Sequence, residues 1–255
     1  MSVDGKRWVV LNAAPELKAQ LDATAALHPV AEPRHSPIEA VVLTGAEVDQ
    51  VAGLLSLRER QAFTLYGTAQ TLAVLADNPI FGVLAPDVVA RQPVAIGHAA
   101  VTPSGLRFEL FAVPGKVPLY LEGEQPDIGG ETGATVGVEV TAGGAKIAFV
   151  PGSAAVTSAL IRRLADADVV LFDGTLFRDD EMIRSRTGSK TGRRMGHIPI
   201  DGPDGSLAAL AGLPGRRIYI HINNTNPILV DGSPERAKVT AAGWEIAEDG
   251  MEIAL

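Results

Sequence analysis

Apolar positions recur along this chain at two spacings: every second residue in short β-branched runs, and every third or fourth residue in the stretches between them. The alternating runs predict strands at 8–13, 38–44, 64–66, 94–96, 107–113, 135–141, 146–150, 168–172 and 218–222, with a last pair at 244–247 and 251–254. Gly143-Gly144 and Glu248-Asp249-Gly250 are hairpin turn signals between flanking runs. Pro15 opens a helix at 16–26 that places Leu17, Leu21 and Ala25 on one face. A second helix at 49–60 presents Val51, Leu54, Leu55 and Leu57, and others cover 69–76, 154–165 and 234–242. Strands outnumber helices in each half, and hairpins mix with crossovers. That order predicts two mixed sheets covered by helices, not one doubly wound parallel sheet.

Composition narrows the function classes. With 255 residues, 46% of them hydrophobic, the chain can bury a sizeable core, and an α/β unit of this length is expected to be a single domain spanning 1–255. No apolar run approaches the ~18 residues of a membrane span, and the start Met1-Ser2-Val3-Asp4-Gly5-Lys6-Arg7 lacks a signal peptide's apolar core, so a cytoplasmic location is expected. The chain has no cysteine, so any metal must use imidazole, carboxylate or carbonyl ligands. A net charge of -8 argues against nucleic acid as a partner and favours small molecules or peptides.

Polar residues able to do chemistry gather at predicted strand ends, where pockets form in layered α/β folds. Asp173 follows Val169-Val170-Leu171-Phe172, and His197 lies in the Gly- and Arg-rich segment Lys190-Thr191-Gly192-Arg193-Arg194-Met195-Gly196-His197-Ile198. His221 closes the run Arg217-Ile218-Tyr219-Ile220 and leads into Ile222-Asn223-Asn224-Thr225-Asn226-Pro227, a segment too polar for a buried central strand. Asp49 also fits a helix N-cap, the Asn cluster a self-satisfied turn, and His28, His35 and His98 ordinary surface loops.

After the run ending at Leu43 comes Thr44-Gly45-Ala46-Glu47-Val48-Asp49-Gln50-Val51-Ala52-Gly53. It is similar to the T-H-x-H-x-D-H-x-x-G loop of metallo-β-lactamase-type hydrolases, with Gly45, Glu47 and Gln50 at the histidine positions and Asp49 and Gly53 retained. Together with Asn12-Ala13-Ala14-Pro15-Glu16-Leu17, Leu57-Arg58-Glu59, the 113–120 segment, Leu171-Phe172-Asp173-Gly174-Thr175, Arg194-Met195-Gly196-His197-Ile198 and His221-Ile222-Asn223-Asn224-Thr225-Asn226-Pro227, this loop resembles the coenzyme PQQ synthesis protein B family.

The resemblance implies a metallo-β-lactamase-like αββα sandwich, two mixed sheets flanked by helices, in a chain that starts after the family's Gly-rich first strand and cysteine cluster. It implies Asp49 and His221 as metal ligands, with Gln50 a weak third, for iron(II) or, as an alternative, zinc. Lys116 and Ser153 stand where hydrolytic relatives carry ligands, so dinuclear zinc hydrolysis is not expected. Asp173 and His197 resemble a carboxylate–histidine pair that moves a proton. Asn223, Asn224, Asn226, Lys116 and Arg194 are the implied contacts to a substrate's carboxylate and phenol groups. The implied reaction is a dioxygen-dependent hydroxylation of the tyrosine-derived ring in a crosslinked Glu–Tyr precursor of pyrroloquinoline quinone. The rival expectation is a non-catalytic carrier taking the quinone or its precursor towards the periplasm. A homodimer is compatible with either.

Overall fold

The computed structural model describes residues 1–31 and 35–255, which form two compact units: residues 1–111 with 117–123, and residues 112–116 with 124–255. In the first unit β1 (Trp8–Leu11), β2 (Ile38–Val42), β3 (Phe63–Gly67) and β4 (Val89–Pro93) pair in that order. All three ladders are parallel. This sheet is thus parallel and not mixed as the order of elements predicts: a helical crossover intervenes between each pair of neighbours, and a crossover returns the chain in the same direction. The crossovers carry α1 (Leu17–Ala23), α2 (Val48–Val51) and α3 (Ala69–Asp77). Leu17, Leu54, Leu57 and Leu75 pack from them against Val41, Leu43 and Leu65 in one apolar core. β5 (Ala99–Val101) and β6 (Arg107–Ala112) form an antiparallel hairpin.

Element boundaries moved where backbone hydrogen bonds decide them. The helix expected at 49–60 is a single turn, α2, followed by a 3-10 stretch at Ala52–Leu57. Its amide at Gly53 donates to the Ala13 carbonyl (2.8 Å), while Ala13 N–H donates to Gln50 O (2.7 Å), so the loop after β1 replaces part of the helical ladder. A strand expected at 94–96 lies earlier, at β4, whose register with β3 ends at Gly67 and Pro93 and closes with Val94 N–H donating to Gly67 O (2.9 Å). The 251–254 segment is not a strand: Met251 N–H closes a turn onto Glu248 O.

In the second unit the order is β11 (Glu245–Ile246), β10 (Arg216–Ile220), β9 (Val169–Asp173), β8 (Ala145–Val150) and β7 (Val136–Ala142). This arrangement is mixed, as expected: β7 and β8 are antiparallel and the other ladders parallel. Gly143 and Gly144 turn the β7–β8 hairpin with φ of +59° and +91°, left-handed values that glycine adopts without a Cβ penalty. α4 (Ser158–Leu164) begins only at Ser158, capped by Thr157, since Ala154 N–H is held by Pro114 O (2.7 Å) in an extended loop. Four further helices follow: α5 (Glu181–Arg184), α6 (Gly192–Met195), α7 (Ser206–Ala209) and α8 (Pro234–Ala241). Among the described residues no helix is long and apolar enough to cross a membrane.

Gly53 tests the packing of the first unit most sharply. A Cβ there would overlap the Ala14 carbonyl and come within 2.7 Å of Leu17 Cβ. Gly53→Ala should therefore destabilise the fold by about 3 kcal/mol in urea unfolding, whereas Gly82→Ala, in open space, should cost little.

Candidate functional site

The β9–β10 ladder builds the site. Ile220 pairs with Asp173 at its end, and the register continues beyond the strands: Gly174 N–H donates to Ile220 O (2.8 Å) and Asn223 N–H to Thr175 O (3.1 Å). Gly174 is required here because a Cβ would lie 2.9 Å from Tyr219 Cβ. The continued pairing sets Thr175 beside His221, whose φ of +54° is a left-handed conformation that a non-glycine residue adopts at a cost of about 1 kcal/mol or more. Such strain persists where surrounding contacts hold it, commonly at functional sites.

His197 arrives from the other side of the loop system. α6 is capped by the Thr191 hydroxyl and ended by Gly196 at φ +88°. A side chain on Gly196 would crowd the Lys116 stem, whose Cγ lies 3.2 Å from the position of a Cβ. His197 N–H returns to Gly192 O (2.9 Å), and Ile198 N–H donates to Ser153 O (2.7 Å). Gly152 leaves room for the ring, with His197 Cε1 3.3 Å from where its Cβ would stand. Gly152 thus admits the imidazole, and Gly196 turns the chain that carries it clear of the Lys116 stem.

Asp173 is fully buried and accepts four hydrogen bonds. Oδ2 receives Ser153 N–H (3.0 Å) and His197 Nδ1 (2.8 Å); Oδ1 receives Thr175 N–H (3.0 Å) and the Thr175 hydroxyl (2.6 Å). The hydroxyl also lies 2.7 Å from His221 Nδ1 and 3.1 Å from His197 Nδ1. The two imidazoles stack at 5.3 Å between centroids, 20° from parallel. Burial pushes the Asp173 carboxyl up, but the charge and hydrogen bond of His197, then His221 and the Thr175 hydroxyl, outweigh it and hold the group below the usual carboxylate range. Asp173, His197 and His221 offer ligand atoms within 4.8 Å of one another, one carboxylate and two imidazoles, a donor set suited to iron(II) or zinc.

The other sequence-derived candidates are placed as follows. Asp49, in the first turn of α2, is exposed, and the Gln50 side-chain oxygen accepts Glu47 N–H (3.1 Å) as part of the helix cap. Both belong to the first unit, whereas the carboxylate–imidazole cluster is built by the second unit alone. Lys116 and Arg194 are half-buried, and Asn224 is exposed. Asn223 donates to Thr225 Oγ1 (2.8 Å) and to the Met182 sulfur (3.1 Å). Asn226, 1% exposed, donates to Gly174 O (2.8 Å) and accepts Ile228 N–H (3.1 Å), so its amide fastens the loop that carries His221. Sequence reasoning passed over Thr175 and the Ser153 amide. The signal for Thr175 was present: Asp-Gly-Thr after a strand is an Asx-turn pattern, and the turn brings the hydroxyl back onto the carboxylate.

Two sheets flanked by helices, with the polar cluster at strand ends, define a metallo-β-lactamase-type α/β fold, and the family model of the beta-lactamase superfamily domain matches residues 7–222. Curated proteins named coenzyme PQQ synthesis protein B from Methylobacterium nodulans and Rhizobium meliloti are 54% and 55% identical over all of this chain, which covers 86% and 84% of their lengths. A 1.98-angstrom crystal structure of Zn2+-bound PqqB from Methylobacterium extorquens matches with a TM-score of 0.98 at 52% identity, covering all of this chain and 86% of that one. The chain belongs to the coenzyme PQQ synthesis protein B family.

The depressed pKa of Asp173 has a testable sign. A carboxyl whose folded pKa lies below its unfolded value adds stability above the unfolded value, near 4, and loses it as pH falls through the folded one. The wild-type chain should therefore lose stability steeply below about pH 4. Asp173→Asn should flatten that acid limb in urea titrations at successive pH values, and should cost about 3–5 kcal/mol at neutral pH because donors aimed at a buried charge lose their acceptor.

Proposed function

We propose that this protein acts in pyrroloquinoline quinone biosynthesis, as an iron- and dioxygen-dependent hydroxylase of the tyrosine-derived ring in the crosslinked Glu–Tyr precursor. The observation that carries this reading is the buried anion Asp173 joined to two imidazoles, in a chain of this family. His221 is the imidazole assigned to the metal, Asp173 the carboxylate at its side, and His197 the base. Iron(II), when bound, supplies the activation of dioxygen; zinc, present in the related crystal structure, fits the same donors.

The chain's own residues do the remaining work. His197 takes the phenol proton as the ring is oxidised, and Asp173, 2.8 Å from its Nδ1, stabilises the imidazolium that results. Asn223, Asn224, Lys116 and Arg194 bind the precursor's carboxylates by amide and charged donors. Asn226 acts beneath them, holding the loop. The overall change balances with one dioxygen: one oxygen atom enters the ring, the other leaves as water with two hydrogens, and the phenol becomes an ortho-quinone. Location in the cytoplasm and a homodimeric state are part of this reading.

The test supplies purified protein with iron(II) under anaerobic conditions, then dioxygen and the crosslinked dipeptide, while oxygen uptake and product mass are followed. The expected result is stoichiometric uptake and a product carrying one added oxygen. His197→Ala should retain iron and lose about 10²-fold or more in rate, whereas His221→Ala should lose iron itself. No uptake and no hydroxylated product, with tight binding of the finished quinone, would replace this reading with the carrier.

A further inference from the structure

Thr175 has one hydroxyl hydrogen and three neighbours that could take part in its hydrogen bonding: Asp173 Oδ1 at 2.6 Å, His221 Nδ1 at 2.7 Å and His197 Nδ1 at 3.1 Å. We propose that this hydroxyl is a positioning device that fixes the tautomer of His221, so that with His197 both imidazoles carry hydrogen on Nδ1 and present an unprotonated Nε2. Each Asp173 oxygen already accepts a backbone N–H, Oδ2 from Ser153 and Oδ1 from Thr175, and faces its other neighbour as an acceptor. Thr175 gives its single hydrogen to Oδ1, its shortest contact, and its oxygen then faces His221 as an acceptor. His221 Nδ1 must carry the hydrogen of that bond. His197 Nδ1 lies against Oδ2, also an acceptor only, so it too carries hydrogen.

A neutral imidazole has one N–H and one lone pair, and the partner of the first decides where the second stands. One anionic carboxylate, extended by one hydroxyl, therefore sets two histidines at once: His197 directly and His221 through Thr175. The device is separable from the turn that surrounds it. Thr175 N–H, not the hydroxyl, closes the turn on Oδ1 at 3.0 Å. A valine at 175 would keep that amide and the branched shape and remove only the hydroxyl. The consequence for metal binding rests on the assignment of His221 to the metal above; the tautomer assignment stands without it.

The experiment uses the full chain, metal-free and labelled with 15N-histidine, at a pH where both imidazoles are neutral. Long-range proton–nitrogen spectra of the wild type and of Thr175→Ser should show hydrogen on Nδ1 of both rings, and Thr175→Val should move His221 to the Nε2–H form while His197 stays. Zinc affinity, read by competition with a chromogenic chelator, should fall about 10- to 100-fold in Thr175→Val and return in Thr175→Ser. His221 carrying its hydrogen on Nε2 in the wild type would overturn the proposal, as would a valine variant unchanged in both tautomer and affinity. A tautomer shift in the valine variant with no zinc binding by any form would support the role of Thr175 and overturn the assignment of His221 to a metal.

Discussion

A carboxylate with no access to water must find every donor within the chain, and Asp173 finds four, from three separated segments. The requirement organises the second unit's polar end. The loop after β8 must bring the Ser153 amide to it, the turn after β9 must fold Thr175 back, and the Arg-Met-Gly-His segment must deliver an imidazole. Each delivery depends on a glycine: Gly152 makes room for the His197 ring, Gly174 fits against Tyr219, and Gly196 ends α6 in a left-handed turn beneath Lys116. Leaving any one of those donors unmade would expose the anion to a desolvation cost of several kcal/mol.

Around that anion the chemistry follows from charge. The imidazole bonded to it takes a fixed orientation, and a second imidazole is reached through one hydroxyl. The strain at His221, with φ of +54°, is offset by these contacts and by the Asn226 amide that pins the next turn to Gly174. Two stacked imidazoles beside one carboxylate form a site able to hold a divalent metal and to move a proton within the same few ångströms.

Much of this was legible in the residues. The alternating runs located most strands to within two or three positions, because side-chain burial on sheets follows the period of the pattern. Asp173 and His221 were visible as polar residues at strand ends, and His197 as a histidine in a Gly- and Arg-rich segment. What could not be read was set by long-range backbone bonding. The parallel order of the first sheet depends on which crossovers pack, and the helix at 49–60 shortens because the loop from β1 claims its amides at Gly53. At Gln50 the pattern pointed to a ligand position, yet the side-chain oxygen is used by Glu47 N–H in a helix cap. The Asp-Gly-Thr turn at Thr175 was legible, but its contact with His221 forms only when β9 and β10 pair and its contact with His197 only when the segment after α6 folds back.

The reading proposed above stands on His221 as the imidazole that holds the metal, with the Asp173–His197 pair beside it to move the proton. Crystals grown anaerobically with iron(II) and measured on both sides of the iron absorption edge would locate it directly. The expected result is an anomalous peak within bonding distance of His221 Nε2. A peak elsewhere in the chain, or none while the protein retains its hydroxylating activity, would contradict it.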